Sequence, residues 1–174
     1  SDFIVGSYFP FVRDRLRSFH NVRALCEQKI IPALGTKALD EITRQDVQAL
    51  RRDLIAKGKS NAYVNRPLVI LRRVLSLAQD WGQLDGANPA AKPGLLPEPH
   101  REVYLTDDQL RELLLALGRD QDFVAAAAVA FLLLTGARKS EALCAEWRHI
   151  DFDNAQWTVP RSKSGHRRHI PLSP

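Results

Sequence analysis

The feature that most constrains the fold is a long apolar run that is followed by a glycine. Residues 123–134 carry no charge, and the run is about half the ~20 residues that a membrane span needs, so it predicts a buried helix. Gly136 suits the left-handed backbone that ends a helix. Arg138 would then stand at the start of the next helix, where free N–H groups favour an anion. The sequence thus predicts a phosphate clamp at Arg138; the alternative is a solvated arginine beside a turn.

Composition places the chain among soluble proteins. It has 174 residues, of which 45% are apolar and 26% charged, enough for one or two domains with cores. No signal peptide or membrane span is visible. Two distant cysteines, Cys26 and Cys144, are typical of buried thiols in a reducing compartment, so we expect a cytoplasmic protein. The absence of methionine leads us to expect an excised or processed piece of a longer protein.

The positive charge is unevenly distributed. Residues 1–100 carry 15 Lys and Arg against 10 Asp and Glu, whereas residues 101–174 carry 10 of each. Within the second part, residues 161–169 form a block without an acid; its cations are Arg161, Lys163, Arg167 and Arg168. Both patches indicate a polyanionic partner. The alternative is that they are solvated basic surfaces.

Apolar residues recur at helical spacing throughout residues 1–84, which we predict to form a helical domain. A capping signal at Thr43 opens one helix, and Ser60 caps the longest, which should end near Trp81. The core stripe of this longest helix is predicted to be Val64, Leu68, Leu71, Leu75 and Ala78. We expect Pro67 to kink this helix or to mark its effective start.

The same long helix carries a polar face beside and opposite its core stripe. This face consists of Asn65, Arg66, Arg72, Arg73 and Ser76. Arginine and asparagine can make bidentate contacts to base edges, and serine can bond to phosphate. We therefore predict a DNA-binding face, with an ordinary solvated helix face as the alternative.

The composition changes at residues 85–104, where a stiff linker is predicted. Four of the ten prolines lie there: Pro89, Pro93, Pro97 and Pro99. Residues 105–174 are predicted to be a second domain, which begins with a helix capped by Thr106. The inward stripe of that helix should be Leu110, Leu113, Leu114 and Leu117. Three antiparallel strands are then predicted over residues 147–152, 156–159 and 168–172, so the fold class is mainly α with a small sheet.

Familiar catalytic motifs are missing from the sequence. It has no phosphate-binding Gly-x-x-x-x-Gly-Lys loop, no Gly-x-Ser-x-Gly elbow and no Cys-x-x-Cys pair. His166 and His169 could chelate a metal, but no third ligand accompanies them. We therefore predict neither a metal nor a cofactor.

Two motifs in a fixed order carry a specific resemblance. Thr135-Gly-Ala-Arg138-Lys-Ser-Glu141, followed by Ser162-Lys163-Ser-Gly165, resembles the catalytic domain of tyrosine recombinases, the phage-integrase family. Upstream, Ile31-Pro-Ala-Leu-Gly35 and Val64-Asn-Arg66 resemble the helical core-binding domain of that family. The resemblance covers nearly the whole chain. It implies a SAM-like helical domain followed by the first part of an α+β catalytic domain.

The resemblance also implies roles for individual residues. Arg138 would be the first catalytic arginine, which binds a non-bridging oxygen of the scissile phosphate. Lys163 would help to protonate the leaving 5′ oxygen, and Glu141 would support the site without reacting. The implied partner is double-stranded DNA, on which family members work as tetramers at paired sites, without a cofactor.

The sequence departs from the family pattern after the hairpin. The remaining family residues, a His-x-x-Arg pair, a further His or Trp and the tyrosine nucleophile, would follow it, yet the sequence ends at Pro174. Tyr8, Tyr63 and Tyr104 all precede Arg138. We therefore expect a fragment that binds DNA as a monomer without cutting it and belongs to an integrating or excising recombinase. The alternatives are a non-catalytic DNA-binding regulator on this scaffold and a helical protein-interaction module.

Overall fold

The computed structural model describes residues 1–100, 102–160 and 165–172. The chain divides into two compact units, Ser1–Arg101 and Glu102–Pro174. The first unit is helical, and the second combines helices with a small antiparallel sheet. The predicted fold class, mainly α with a three-stranded sheet, is confirmed.

The first unit consists of short helical segments that precede two longer helices. In chain order these are a π-helical turn (Ile4–Tyr8), α1 (Phe9–Arg13), α2 (Phe19–Leu25), a second π-helical turn (Cys26–Ile30), α3 (Ile31–Leu34), α4 (Arg44–Ala56) and α5 (Asn61–Asp80). Their buried side chains form one core around α5.

Side chains cap the two longer helices where the sequence predicts. At α4, the Thr43 hydroxyl accepts a bond from Asp46 N at 3.3 Å, and the Asp46 carboxylate accepts one from Thr43 N at 2.9 Å. The Ser60 hydroxyl accepts a bond from Tyr63 N at 3.3 Å. Between the helices, Gly58 has a φ of +64°, a conformation that glycine adopts without strain.

Helix α5 supplies the centre of the core. All five residues of its predicted stripe are buried, and Val74 joins them. Pro67 lies inside the helix and is also buried, while α5 runs unbroken from Asn61 to Asp80. The expectation that the helix starts near Pro67 is therefore wrong. The φ of proline is itself helical, so the ring costs one backbone hydrogen bond and its burial offsets part of that cost.

The proline-rich segment packs against the first unit for much of its length. Leu84 and Ala90 are buried, and the Gln48 side chain donates to the Pro93 carbonyl at 3.3 Å. Asn88 donates to the Arg72 carbonyl at 3.0 Å. The first compact unit thus extends beyond residue 84, the predicted end of its domain, because side-chain amides of α4 and of the segment itself make hydrogen bonds that hold the segment in place.

The second unit begins with three helices and ends in the sheet. Its elements are α6 (Asp107–Leu117), α7 (Phe123–Thr135), α8 (Lys139–Leu143), a 3₁₀ turn (Trp147–His149), β1 (Ile150–Asp151), β2 (Gln156–Val159) and β3 (Arg168–Pro171). The strands are antiparallel in the order β1-β2-β3. Strand β1 is shorter than predicted because residues 147–149 form the helical turn.

A small core joins the sheet to α7. Trp157, Val159 and Ile170 point to the same face of the sheet and are buried. The Trp157 ring lies 4.8 Å from that of Phe131 on α7. This contact fixes one side of α7 on the sheet.

The predicted burial of α7 and α6 is wrong for the unit as the structure describes it. Only Ala126 of α7 is buried, and Phe123 and Val124 are 77% and 81% exposed. Helix α6 has no buried residue, with Leu110 and Leu114 exposed. Apolar composition predicted burial, but the three short strands are too small to cover more than the Phe131 side of α7.

None of the helices in the described ranges is long and apolar enough to cross a membrane.

The cap of α4 should make the first unit sensitive to acid. The Lys37 ammonium, 2.6 Å from the Asp46 carboxylate, and the bonds from Thr43 lower the pKa of Asp46 to about 2. A depressed carboxylate pKa stabilises the fold at neutral pH, and this contribution is lost as the pH falls from about 4 through 2. Asp46→Asn should flatten the loss of stability in that window, measured by denaturant unfolding at each pH. Asp40→Asn, which changes an exposed neighbour, should leave the pH profile unchanged; equal profiles for both variants would contradict the prediction.

Candidate functional site

The turn between α7 and α8 places Arg138. Gly136 ends α7 with a φ of +60°, as predicted, and its N–H bonds to the Leu132 carbonyl at 3.0 Å. The Thr135 hydroxyl donates to the Phe131 carbonyl at 2.6 Å and accepts from Ala137 N at 3.3 Å. Arg138 follows in an extended conformation as the N-terminal cap of α8. The turn is therefore held by its own hydrogen bonds.

Glu141 is the centre of the site. Its side chain is 5% exposed, and it lies on the first turn of α8. Its Oε2 accepts bonds from Arg138 N at 3.1 Å and from Arg168 Nη2 at 2.7 Å, while Oε1 accepts one from Arg138 Nη1 at 2.8 Å. One carboxylate thus joins the guanidinium groups of Arg138 and Arg168.

The electrostatics of this cluster keep Glu141 ionised. Burial raises the pKa of its carboxyl, but the hydrogen bonds from Arg138 and the charges of Arg168 and Arg138 outweigh burial and hold the pKa below its ordinary value. The cluster carries two positive charges against one negative charge. It therefore has an excess positive charge with which to attract an anion.

The Arg138 guanidinium keeps donors for another partner. Its side chain is 51% exposed, and only Nη1 donates to a described residue, namely Glu141. A guanidinium carries five N–H donors, so the remaining edge can bind the oxygens of a phosphate. The phosphate clamp at Arg138 and the supporting role of Glu141 stay predictions, with which this exposed edge and the bond between the two side chains are consistent.

Arg168 differs from the prediction. It was predicted to contact DNA, yet its Nη2 bonds to buried Glu141 and its Nε is buried without a hydrogen-bond partner in the described ranges. Sequence reasoning missed this contact because the two residues lie 27 positions apart and belong to different elements. No local pattern links the start of β3 to the first turn of α8.

The other hairpin residues are only partly described. Lys163, predicted to help to protonate the leaving oxygen, and Arg161, predicted to contact DNA, lie outside the described residues. Arg167 is exposed, as a DNA-contacting residue must be. The Nδ1 of His169 lies 3.0 Å from the Thr158 hydroxyl on the neighbouring strand. Across residues 1–100, 102–160 and 165–172, no three His, Cys, Asp or Glu side chains are grouped to hold a metal.

The polar face predicted on α5 is smaller in the structure. Arg66, Arg72 and Arg73 are exposed. Asn65, however, is 3% exposed: its amide donates to the Leu96 carbonyl and to Glu98, and its oxygen accepts from Leu96 N, each at 2.8 Å. Its prediction as a DNA contact is wrong, because these bonds use the amide to hold the proline-rich segment.

Ser76 is likewise occupied within the first unit. Its half-buried hydroxyl accepts a bond from the Asn88 side chain at 2.9 Å. The hydroxyl helps to anchor the segment that follows α5, and its predicted phosphate contact stays a prediction. Three exposed arginines remain on this face.

A second polar surface, on α4, was missed by the sequence reasoning. It forms an open groove of about 600 Å³; the groove is lined by Arg44, Gln45, Gln48 and Arg52. The sequence pattern could have predicted this surface, because positions 44, 48 and 52 follow helical spacing. The acids of α4, Asp46 and Asp53, fall on another side of the helix. This surface adds cationic and amide groups to the first unit.

Comparison with known proteins identifies the second unit. Residues 103–174 match the family model described as "Phage integrase family". The second unit is similar to this family over nearly its whole length, and we call it the integrase unit. Arg138, Glu141 and Arg168 all lie within the matched residues.

Two curated proteins are similar over most of the chain. Prophage integrase IntA of Escherichia coli K12 is 29% identical over 154 residues, which are 84% of this chain and 37% of IntA. A shufflon-specific DNA recombinase of Escherichia coli is 28% identical over 152 residues, 80% of this chain and 38% of that protein. The chain thus spans less than two fifths of the length of these integrase relatives.

Solved integrase structures share the fold. A lambda integrase dimer bound to a COC′ core site aligns over 94% of this chain and 46% of its own, with a TM-score of 0.76 at 21% identity. The Tn1549 transposon integrase in complex with circular intermediate DNA aligns over 95% of this chain and 59% of its own, with a TM-score of 0.70 at 22% identity. Both the helical unit and the integrase unit therefore have the fold of these proteins.

Glu141 should be required for the stability of the integrase unit. Glu141→Gln removes the charge that compensates two arginines and turns an amide N–H₂ toward a guanidinium, so we expect a loss of about 1–3 kcal/mol in the free energy of unfolding. Urea unfolding followed by Trp157 fluorescence measures it. The control is Glu146→Gln, since Glu146 is half exposed and, among the described residues, pairs with Arg148 alone. A loss of equal size in both variants would show that burial of Glu141 contributes nothing.

Proposed function

We propose that this chain is the DNA-binding part of a site-specific recombinase, in which the helical unit holds duplex DNA and the integrase unit binds the phosphate that is cut. The observation that carries the proposal is the Glu141 carboxylate, which orients Arg138 while half of the Arg138 side chain stays exposed. The match of residues 103–174 to the phage integrase family supports it.

The chemistry requires cations around the phosphorus. A tyrosine oxygen forms a bond to phosphorus as the bond to the 5′ oxygen of the DNA breaks, which leaves a 3′-phosphotyrosyl link and a 5′ hydroxyl. Negative charge builds on the non-bridging oxygens during this step, and a preorganised donor there supplies roughly 10²- to 10³-fold in rate. Arg138 performs this role, and the reaction needs neither a metal nor a nucleotide.

Lys163 would supply the proton for the leaving oxygen. Its assignment comes from the resemblance, since it lies outside the described residues. A lysine ammonium can give up a proton near neutral pH when its surroundings lower its pKa, whereas a guanidinium practically cannot. The two residues thus have different roles: Arg138 stabilises the charge on the non-bridging oxygens, and Lys163 transfers a proton to the leaving 5′ oxygen.

The exposed arginines of the helical unit would contact the DNA backbone. Arg66, Arg72 and Arg73 on α5 and Arg44 and Arg52 on α4 have no ion pair with another described residue. Their charges are therefore available to phosphates, which supply most of the affinity for duplex DNA.

The proposed assembly follows the integrases of similar fold. The lambda protein has been seen as a dimer on a core site and as a tetramer on a Holliday junction. We propose that the complete protein forms a tetramer on paired sites and that residues 1–174 alone are monomeric. Sedimentation of the complete protein on paired DNA sites measures the first state, and sedimentation of the 174-residue chain by itself measures the second.

Arg138→Ala in the complete protein should separate chemistry from binding. We expect strand cleavage to fall by about 10²- to 10³-fold because the donor to the transition-state phosphate is lost, while the affinity for the site changes little. Suicide substrates that trap the phosphotyrosyl link measure cleavage. Lys139→Ala removes a neighbouring exposed cation and should cleave normally. Cleavage by Arg138→Ala at the normal rate would exclude the clamp role. A wild-type protein that binds its site without cleaving the DNA would instead indicate a non-catalytic regulator.

Arg66→Ala and Arg73→Ala should each weaken duplex binding by the 174-residue chain several-fold. Each lost phosphate contact should reduce the log–log salt slope by about 0.9, which titrations at several salt concentrations measure. The control is Arg111→Ala, because Arg111 is exposed but pairs with Asp108 in the other unit. Unchanged affinity in both α5 variants would assign the DNA to another face. Wild-type binding without salt dependence would favour a protein-interaction module.

A further inference from the structure

Arg168 has a geometry that suits support of the site better than contact with DNA. Its Nη2 is engaged by Glu141 at 2.7 Å, and its Nε is buried. We infer that Arg168 is a positioning residue, which acts through Glu141 to set the orientation and the effective charge of Arg138. This inference rests on the phosphate-binding role proposed for Arg138.

The first part of the argument is orientation. The two oxygens of Glu141 are divided between its partners: Oε1 bonds to Arg138 Nη1, and Oε2 bonds to Arg138 N and Arg168 Nη2. A carboxylate held at both oxygens cannot turn about its last side-chain torsion. If Arg168 is removed, Oε2 keeps only the longer bond from Arg138 N at 3.1 Å, so the carboxylate is held less firmly. The edge of Arg138 that faces the phosphate then loses its fixed direction.

The second part is charge. A buried carboxylate paired with Arg138 alone would cancel most of the Arg138 charge, and a neutral pair attracts a phosphate weakly. Arg168 brings a second positive charge to the same carboxylate. The three groups together keep one net positive charge, and the Arg138 side chain is the more exposed of the two arginines, at 51% against 39% for Arg168. Arg168 thus leaves the charge of Arg138 available for the ligand.

The third part is the position of Arg168 in the sheet. It is the first residue of β3 and pairs across the ladder with Val159, the last residue of β2. These two residues form the last described pair of the β2–β3 ladder. Because Val159 is buried, this pair is anchored in the small core of the sheet. The contact between Arg168 and Glu141 therefore ties Arg138 to the ends of β2 and β3.

Arg167 provides a matched control. It is the preceding residue, is exposed and makes no hydrogen bond or ion pair with a described residue. Arg167→Gln and Arg168→Gln remove the same charge from adjacent positions. If both residues attract DNA, both substitutions should weaken DNA binding. If Arg168 acts through Glu141, only Arg168→Gln should change the position of Arg138.

The first experiment uses carboxyl carbon NMR of the 174-residue chain, with the Glu141 signal assigned from Glu141→Gln. Arg138 and Arg168 are the only charged groups that bond to Glu141 among the described residues. We expect Arg168→Gln to raise the titration midpoint of Glu141 and to broaden the guanidinium signals of Arg138, while Arg167→Gln changes neither. Arg168→Lys, which keeps the charge, should restore most of the midpoint.

The second experiment measures DNA cleavage by the complete protein at saturating DNA. Arg168→Gln should lower the maximal rate by about 10- to 100-fold, as expected for a misplaced group, with a smaller change in Kd than Arg167→Gln produces. Arg168→Lys should recover part of the rate. If Arg168→Gln does not fold, the comparison of Arg168→Lys with Arg167→Lys replaces it, and Arg168→Lys should give the larger loss of maximal rate while Arg167→Lys gives the larger change in Kd.

Two results would overturn the inference: equal Glu141 midpoints in Arg168→Gln and wild type, or a change in Kd alone with a normal maximal rate. Failure of the proposed function has a different signature. The Glu141 midpoint would still shift in Arg168→Gln, which supports positioning, but Arg138→Ala would cleave at the normal rate.

Discussion

Glu141 can be buried as an ion only because two guanidinium groups reach its carboxylate, and this requirement links the elements of the integrase unit. Arg138 comes from the turn after α7, and Arg168 comes from the start of β3. The two guanidinium groups offset the cost of removing the carboxylate charge from water, and they do so where the helices and the sheet join. The same contacts leave one positive charge in excess, so a single buried group both joins these elements and leaves a net positive cluster.

The helical unit uses its polar side chains in two different ways. Asn65 and Ser76 face the proline-rich segment and make hydrogen bonds to it or to Asn88. The arginines of the same helix stay exposed, at the ends of long side chains that extend past the packed surface. Short polar side chains on a helix flank are within reach of a neighbouring segment, whereas long ones extend to solvent and to a ligand. The distinction decides which polar residues of α5 remain exposed.

The two units differ in how much of their apolar surface they bury. The first has a continuous core around α5, whereas the second buries three sheet residues against α7. The contact of Trp157 with Phe131 therefore matters more to the second unit than any single contact in the first. It also holds the C-terminal end of α7, from which the Thr135–Arg138 turn begins, so the stability of this small core and the placement of Arg138 depend on each other.

The sequence by itself determined whatever depends on neighbours along the chain. The caps at Thr43, Ser60 and Thr106, the left-handed Gly136 and the stripe of α5 follow from spacing, because helix periodicity and backbone sterics act over a few residues. Only the tertiary structure decided which side chains meet across elements, namely Arg168 with Glu141 and Asn65 with the segment near Leu96. It also decided how much of α7 is exposed. Those outcomes depend on how elements pack, and a one-dimensional pattern of polarity does not specify the packing partner.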